Sequence, residues 1–313
     1  MPRERSGGRC RTRPPDPNSQ SLTCVVYTAP RETPQWGAAI RYFEEIERPD
    51  IVRRRDSKKQ EPEYETVEEA LLVHLDPLIR NHLITEVIRP IKSGKEAVVY
   101  FCRAHESLEC EWAAAKVYRP YESRSFKKDQ IYQQGRERGS RPDARTLRAL
   151  GKKTRRGRLH KFNAWITHEE RTLKLLHSAG GDVPAILDRV GPVVLMEYLG
   201  DQADPAPVLF GVELEQDEAE SVYRRLLWNV DLFLKNHRVH ADLSAYNILY
   251  WNDRAIIIDF PQAVDPRYND DAFDLLVRDI ENLNAYFETY EIDVVDPIGH
   301  ALSIWRTHVD PLR

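Results

Sequence analysis

Apolar positions along the chain follow two different spacings, and each spacing predicts a different kind of element. Over 216–238 and again over 272–286, apolar residues recur every three or four positions, which predicts two amphipathic helices. The apolar runs at 112–118 and 193–199 are too short for such helices and predict buried strands. Residues 91–100 form two apolar runs around a glycine-containing turn, which predicts a strand, a turn and a second strand.

A second hairpin is predicted further along the chain. Two apolar runs, Ile248–Tyr250 and Ala255–Ile258, flank the polar stretch Trp251–Arg254. Pairing of the two runs would bring Asn247 and Asp259 to the same end of the hairpin. Both side chains would then be able to reach one cation.

The N-terminal part of the chain has few apolar clusters. Residues 1–60 are rich in Pro, Arg and Ser, and they lack the apolar surface that would offset the entropy lost on ordering. We therefore predict a basic, disordered tail, with a nucleic-acid-binding arm as the alternative. Order is expected to begin at Thr66, because Thr66–Glu69 fits a helix capping box. The helix that follows should kink or break at Pro77.

Composition limits the class of protein. The chain has 313 residues, of which 41% are hydrophobic and 31% charged, with a formal net charge of −4. This content allows a large core in one two-lobed domain or in two domains. No apolar run approaches the roughly 20 residues that span a bilayer. The first residues lack a secretion signal, and the four cysteines are not at zinc-binding spacing. We therefore expect a cytoplasmic protein with free thiols and no membrane contact.

Positive charge is concentrated in one internal stretch. Between Arg136 and Lys161 there are eleven Lys or Arg residues and two acidic residues. Like charges at this density repel one another, so we predict a flexible basic insertion over about 121–162. Two interpretations of this stretch remain: a solvated loop, and a contact site for RNA or a ribosomal particle.

The candidate catalytic chemistry centres on His240–Asn247, which is followed by Asp259. Protein kinases place a catalytic Asp and a metal-binding Asn at the spacing of Asp242 and Asn247, and a second metal-binding Asp downstream. One carboxylate must meet the hydroxyl that attacks the γ-phosphate, while an amide and a second carboxylate hold Mg²⁺ against the phosphates. The spacing predicts a phosphotransfer site with Asp242 as the catalytic residue and with Asn247 and Asp259 as metal ligands.

A lysine inside an apolar strand is the second signal of nucleotide binding. Lys116 lies in Trp112–Tyr118, which resembles the kinase strand V-A-I-K, and an ammonium in such a place needs an anion or a carboxylate beside it. The helix predicted over 164–177 offers Glu169 and Glu170. Because adjacent helical residues point about 100° apart, only one of them can face Lys116. We select Glu169.

Two other segments are candidates for nucleotide contacts. Backbone amides of a turn can cradle phosphate oxygens, and the candidate turn consists of Ser93, Gly94 and Lys95. Its one glycine matches neither the Walker sequence nor the kinase glycine-rich loop, so an ordinary hairpin is the alternative. The strand over 193–199 resembles the kinase segment between the lobes, whose backbone bonds the adenine. Met196 would line the pocket, with Glu197 and Leu199 in the adenine-binding segment; a plain core strand is the alternative.

Together these motifs resemble the RIO family of atypical serine protein kinases, and they are most similar to its first, archaeal and eukaryotic branch. The resemblance covers roughly 65–290. It is carried by Ser93–Ala97, Ala115–Tyr118, Trp165–Leu173, Met196–Gly200, His240–Asn247 and Ile257–Asp259 with Gln262. It implies an α+β, trimmed two-lobed protein-kinase-like fold with a β-rich N-lobe, a helical C-lobe and an added N-terminal helix. The N-lobe with its helix would span 61–199, and the C-lobe 200–313.

The resemblance also implies ATP and Mg²⁺ as ligands, with Mn²⁺ as an alternative ion. It implies a serine/threonine protein kinase, an ATPase or both, acting on an unknown protein substrate or on itself, and Asp259 can then accept the phosphoryl group. Two departures are Ala245, where a Glu is common, and Phe260-Pro261, in place of a Val-Ser type pair. Two other classes stay open. They are a small-molecule phosphotransferase of the aminoglycoside or choline kinase class, and an RNA-binding assembly factor with nucleotide-dependent switching.

Overall fold

A computed structural model describes residues 71–119 and 155–310 of the chain. The described residues fall into two compact units. The sheet unit comprises 71–119 and 186–198, and the helical unit comprises 155–185 and 199–310. The combination of a strand-rich unit with a mainly helical one confirms the predicted α+β class.

Five antiparallel strands form the sheet unit, in the spatial order β1-β2-β3-β5-β4. They are β1 (Ile84–Ser93), β2 (Ala97–Ala104), β3 (Trp112–Tyr118), β4 (Ile186–Val190) and β5 (Val193–Glu197). The strands predicted within 91–100, 112–118 and 193–199 are thereby confirmed, although β5 ends at Glu197. The β-branched residues of these strands favour this conformation, because their side chains pack well on a pleated surface.

The core of the sheet unit lies on one face of this sheet. Side chains alternate between the two faces of a strand, and those on the core face are Val98, Tyr100 and Cys102 of β2 with Ala113, Ala115 and Val117 of β3. The short helix α1 (Asp76–Arg80) packs on the same face through Leu78. Pro77 lies in the first turn of α1, so the predicted break in the N-terminal helix is confirmed. Thr66–Glu69 and the tail over 1–60 lie outside the described residues.

The helical unit contains four longer helices and one hairpin. The helices are α2 (Arg155–Ser178), α3 (Gln216–Lys235), α4 (Ala272–Phe287) and α5 (Pro297–His308), and the hairpin strands are β6 (Ile248–Trp251) and β7 (Arg254–Ile257). Single 3-10 turns occur at Leu209–Gly211, Ala245–Asn247 and Glu288–Tyr290. The helices predicted over 216–238 and 272–286 correspond to α3 and α4. A capping box between Glu215 and Glu218 starts α3.

The helix α2 differs from the sequence prediction at its beginning. A flexible insertion was predicted over about 121–162, but α2 already begins at Arg155. The Arg, Lys and Leu residues at its start are good helix formers, and they extend the amphipathic helix that was predicted over 164–177. The stretch is therefore helical and not extended from Arg155 onward. The rest of the insertion, 120–154, lies outside the described residues.

No helix within the described parts of the chain is long and apolar enough to cross a bilayer. Cys102 and Cys110 are free thiols there, and Cys102 is fully buried.

Candidate active site

Asn247 connects the two loops that were predicted to hold a cation. Its Nδ2 donates to the backbone oxygen of Asp242 at 2.9 Å, and its backbone oxygen accepts from the amide of Ile258 at 2.9 Å. In the hairpin Ile248 pairs with Ile257. Asn247 and Asp259 therefore lie at the same end of the hairpin, as predicted. The turn at the other end consists of two residues with φ of 50° and 58°, which is the geometry of a tight hairpin.

The carboxylate of Asp242 interacts with the charge of Asp259. Partial burial raises the pKa of Asp242, and the negative charge of Asp259 raises it further. The charge of Arg278 and a hydrogen bond from Asn247 act in the opposite direction. Two carboxylates that repel each other are stabilised when a cation binds beside them.

The donor atoms at this end of the hairpin suit a hard cation. Two carboxylates and one amide oxygen are the ligands that Mg²⁺ prefers, and Mg²⁺ usually keeps only one or two carboxylates and completes its shell with phosphates and water. Within 71–119 and 155–310 there is no cluster of three or more His, Cys, Asp or Glu side chains that suits a metal. A cation at Asn247 and Asp259 would therefore need ligands from a bound nucleotide or from water.

The backbone is strained at two positions of the site. Ala241 has φ of 67° and Asp259 has φ of 70°, both in the left-handed region that non-glycine residues rarely adopt. Each such residue costs of order 1–3 kcal/mol and persists only where its surroundings hold it. At Ala241 these surroundings are visible, because its amide donates to Asp279 and its carbonyl accepts from Arg278.

Asp279 anchors the segment His240–Asn247, the candidate catalytic loop, and its role was not predicted from the sequence. Its carboxylate accepts from the amides of Ala241 at 2.7 Å and Leu243 at 2.9 Å, on either side of Asp242. Asp279 is 1% exposed, and burial raises its pKa to about 7. The hydrogen bonds from the two backbone amides and the charge of Arg278 lower the pKa of Asp279, while the charge of Asp242 raises it. A signal was present in the sequence, because Asp279 interrupts the apolar stripe of α4 next to Ile280.

His240 and Phe260 hold the catalytic loop against the segment of Asp259. The Nε2 of His240 donates to the backbone oxygen of Ile258 at 3.1 Å, while its Nδ1 accepts from the amide of Asp242 at 3.3 Å. The His240 and Phe260 rings are 4.5 Å apart, and Phe260 also packs against Phe233. Phe260 is fully buried. Phe260, which stands where a smaller residue is typical of the family that the sequence resembles, thus places a large core side chain directly after Asp259.

In the sheet unit, Lys116 and Met196 lie on the face opposite the core. Lys116 pairs with Val99 and Val194, and Ala114 pairs with Phe101 and Met196. Directly paired residues point to the same side of a sheet. This face therefore presents apolar side chains around the ammonium group of Lys116. Val99 and Ala114 were not predicted as members of this face. Ala114 lies two residues before Lys116, and this spacing in a strand would have placed both on the same side.

Arg119 braces the turn that follows β1. Its Nε donates to the oxygen of Gly94 at 2.8 Å and its Nη2 to the Oγ of Ser93 at 2.9 Å. The amide of Gly94 in turn donates to Ala97 at 2.9 Å, which closes the turn. Lys95 is exposed. Arg119 was not identified from the sequence, because it lies 25 residues from the turn that it holds.

Glu169 and not Glu170 is the buried carboxylate of α2. Glu169 is 1% exposed and lies on the same stripe as Ile166 and Leu173, whereas Glu170 pairs with Lys174 at 2.8 Å. The burial of Glu169 agrees with its selection over Glu170, but it does not show which group Glu169 faces. Glu169 belongs to the helical unit and Lys116 to the sheet unit, and their pairing stays a prediction.

Two further residues were predicted to contact the adenine. Glu197 is exposed at the end of β5, and Leu199 is partly buried, with its backbone oxygen accepting from the amide of Ala206.

Comparison with known proteins identifies the family. A family model described as the RIO domain matches residues 98–298. The chain belongs to the RIO family. The RIO-type serine/threonine-protein kinase Rio1 of Methanocaldococcus jannaschii is 31% identical over 252 residues, which cover 76% of this chain and 80% of the archaeal protein. The serine/threonine-protein kinase RIO1 of Caenorhabditis elegans is 29% identical over 269 residues, or 83% of this chain and 48% of the relative. The chain thus spans about half the length of that eukaryotic relative.

Solved structures of the same family share the fold. The Rio2 kinase of Chaetomium thermophilum has a TM-score of 0.55 at 20% identity, with 86% of this chain and 75% of that chain covered. The complex of that kinase described as ADP/Mg²⁺-phosphoaspartate has a TM-score of 0.54 at 20% identity, with 77% and 67% covered. The predicted family and the kinase-like α+β fold are both confirmed.

Proposed function

We propose that the chain is an ATP-dependent atypical serine/threonine protein kinase, with ATP hydrolysis as a second outcome of the same chemistry. The observation that carries the proposal is the meeting of Asp242, Asn247 and Asp259 at one end of the hairpin, where Asp259 raises the pKa of Asp242. The named relatives support it, since those reported above are serine/threonine-protein kinases. The complex of the Rio2 kinase with ADP and Mg²⁺ supports the choice of ligands.

The helical unit would supply the chemistry. Asp242 accepts the proton of the attacking hydroxyl, and a raised pKa makes a carboxylate a better base. Asn247 uses its Nδ2 for the backbone of Asp242, which leaves its Oδ1 for the cation. Asn247 and Asp259 would hold Mg²⁺, or Mn²⁺ as the alternative ion, and the ion would neutralise charge on the phosphates. If water attacks, the outcome is hydrolysis. If the carboxylate of Asp259 attacks, it becomes the phosphoryl acceptor.

The sheet unit would supply contacts to the nucleotide. Lys116 pairs with phosphate oxygens, and the amides of the turn formed by Ser93, Gly94 and Lys95 cradle the phosphates. The apolar face around Met196 receives the adenine, with backbone groups of Glu197 as hydrogen-bond partners. Leu199, the first residue of the helical unit, is a further candidate through its amide, because its oxygen already accepts from Ala206. Glu169 stays the carboxylate that the sequence predicts as the partner of Lys116. Arg119 supports this assignment of the turn, because it holds Ser93 and Gly94 in place.

Turnover of Mg·ATP by variants of the full chain tests the proposal. Lys116→Ala and Asp259→Ala should each lower phosphoryl release or transfer by at least about 100-fold, the size of effect seen when one charged group at a transition state is removed. Lys174→Ala, on the exposed side of α2, is the matched lysine control and should keep full turnover. Undiminished turnover in both site variants, with thermal melting as in the wild type, would refute the function.

The basic stretch Arg136–Lys161 is the subject of a second proposal, which concerns its binding partner. We propose that Arg136–Lys161 contacts RNA or a ribosomal particle, and that the substrate is a protein or the chain itself. Support for RNA contact comes from the eleven basic and two acidic residues of this stretch. Binding to a single-stranded RNA should then weaken steeply with salt, because each phosphate contact releases a counterion. Binding that is absent, or that does not depend on salt, would contradict the proposal.

A further inference from the structure

Two large aromatic side chains stack on each other at the surface of the helical unit. Phe210 is 46% exposed and Tyr246 is 55% exposed. Their ring centroids are 4.3 Å apart, and their planes differ by 23°. We call Phe210 and Tyr246 the aromatic pair. Apolar surface that stays exposed in a stacked arrangement commonly marks an interaction site.

Tyr246 of the aromatic pair lies in the same loop as the candidate catalytic residues, whereas Phe210 reaches it from the separate turn Leu209–Gly211. Tyr246 stands four residues after Asp242 and directly before Asn247, whose side chain bonds back to the oxygen of Asp242. The amide of Asn247 also donates to Ser244 at 2.9 Å. The position of Tyr246 is therefore coupled to that of Asp242 by the hydrogen bonds of one short loop.

The Phe210 side of the pair is held firmly as well. Tyr286 of α4 donates to the oxygen of Leu209 at 2.8 Å, and Tyr290 donates to Val212 at 3.1 Å. The amide of Tyr250 in β6 donates to Pro207 at 2.9 Å. These three bonds tie the turn of Phe210 to α4 and to the hairpin. The pair is a fixed platform, so little conformational entropy is lost when a ligand binds there.

The segment of chain that carries Phe210 is acidic, and its charge favours one class of ligand. Residues 199–223, which include Phe210, contain seven Asp or Glu and no Lys or Arg. Exposed members of this set are Asp201, Asp204, Glu213, Glu215 and Asp217. Exposed aromatic rings bind nucleic-acid bases or cationic side chains. A field of one negative sign repels a phosphate backbone and attracts a guanidinium or an ammonium group. The observations therefore favour a cationic peptide over RNA.

We propose that the aromatic pair is a docking surface for the protein substrate, and that it takes an Arg or Lys side chain close in sequence to the accepting hydroxyl. The inference rests on the proposed kinase function, because that function gives Asp242 its role. An arginine would stack on the exposed ring faces while the acidic segment 199–223 attracts it. An extended peptide advances about 3.3 Å per residue. The short loop between Asp242 and Tyr246 therefore limits the arginine to within about four residues of the hydroxyl.

Transfer from labelled ATP to matched peptides tests the proposal with the full chain. Two serine peptides of equal length carry either Arg or Glu at the positions flanking the serine. Wild-type protein should give a kcat/KM for the Arg peptide at least about tenfold above that for the Glu peptide. Phe210→Ala and Tyr246→Ala should each reduce this ratio by roughly three- to tenfold, the range expected for a cation on an exposed ring. The ratio is informative even if a substitution lowers overall activity.

Control variants and a binding assay separate docking from catalysis. Tyr246→Phe keeps the ring and should keep the ratio, and so should Ile298→Ala, which removes an exposed apolar side chain on α5. Anisotropy of labelled Arg and Glu peptides with Ala in place of Ser reports docking without phosphoryl transfer. If the wild type transfers no phosphate but binds the Arg peptide through the pair, the kinase function fails and the docking surface stands. Equal binding of both peptides, or a pair-dependent preference for single-stranded RNA, would overturn the docking proposal.

Discussion

Replacing Asp279 with Asn should change how the stability of the protein depends on pH. The Asp279 carboxylate is fully enclosed and accepts two backbone amides beside Asp242, and its pKa is raised to about 7 by burial. An asparagine has nearly the same shape, but it does not titrate, and its one oxygen can satisfy only one of the two amides. The variant should therefore be less stable than the wild type at low pH, and the difference should shrink as the pH rises.

The direction and size of the effect follow from the pKa of Asp279 in the two states. The folded protein holds the proton more tightly than the unfolded chain, where the ordinary value of 3.8 applies. The contribution of Asp279 to stability is thus complete below about pH 4 and is lost as the pH rises through about 7. One pKa unit corresponds to about 1.4 kcal/mol. The wild type should lose about 2–3 kcal/mol between pH 5 and pH 7 through this group, and Asp279→Asn should not.

Urea unfolding monitored by tryptophan fluorescence between pH 4.5 and 8 measures this difference. Asp274→Asn replaces an exposed carboxylate in the first turn of the same helix and is the matched control. Its unfolding free energy should follow the wild-type pH dependence. If the curves for wild type and Asp279→Asn run parallel from pH 5 to pH 7, then Asp279 titrates normally in the folded state, and the account of the buried anchor is wrong.

Two further predictions concern nucleotide contacts. Glu169→Gln should lower kcat/KM for ATP by about tenfold or more, because the negative charge proposed to pair with Lys116 is lost while the side chain keeps its shape. Glu170→Gln removes only a surface pair within α2, so equal losses in steady-state assays would contradict the selection of Glu169. Arg119→Ala should raise KM for ATP by roughly three- to tenfold with a smaller change in kcat, since the turn Ser93–Lys95 loses two hydrogen bonds of about 1 kcal/mol each. Arg80→Ala, which removes an exposed ion-pairing arginine from α1 of the same unit, is its control. An unchanged KM in Arg119→Ala would count against the bracing role.

Local features of the site were predictable because neighbours in sequence decide them. The hairpin β6–β7 follows from two short apolar runs and a polar turn, and it brings Asn247 and Asp259 together without help from the rest of the chain. Helix geometry alone required that only one of Glu169 and Glu170 face inward, and the selection of Glu169 agrees with its burial. The beginning of α2 was misplaced, because charge repulsion was weighted above the helix-forming tendency of Arg and Lys.

Contacts between distant parts of the chain were not predictable in this way. Asp279 lies 38 residues from the amide of Ala241, and Phe210 lies 36 residues from Tyr246. No periodicity or motif specifies which loop a buried carboxylate will meet, or which exposed rings will stack. Those contacts depend on how the helices and turns pack.

The amino-acid sequence by itself determined the family, the α+β class and the residues that carry the candidate chemistry, since spacing along the chain is enough to recognise them. Only the tertiary structure decided which charges lose their water and which backbone positions are held under strain. Burial is a property of packed elements, so the raised pKa of Asp279 and the left-handed conformation of Ala241 arise only when α4 lies against the catalytic loop.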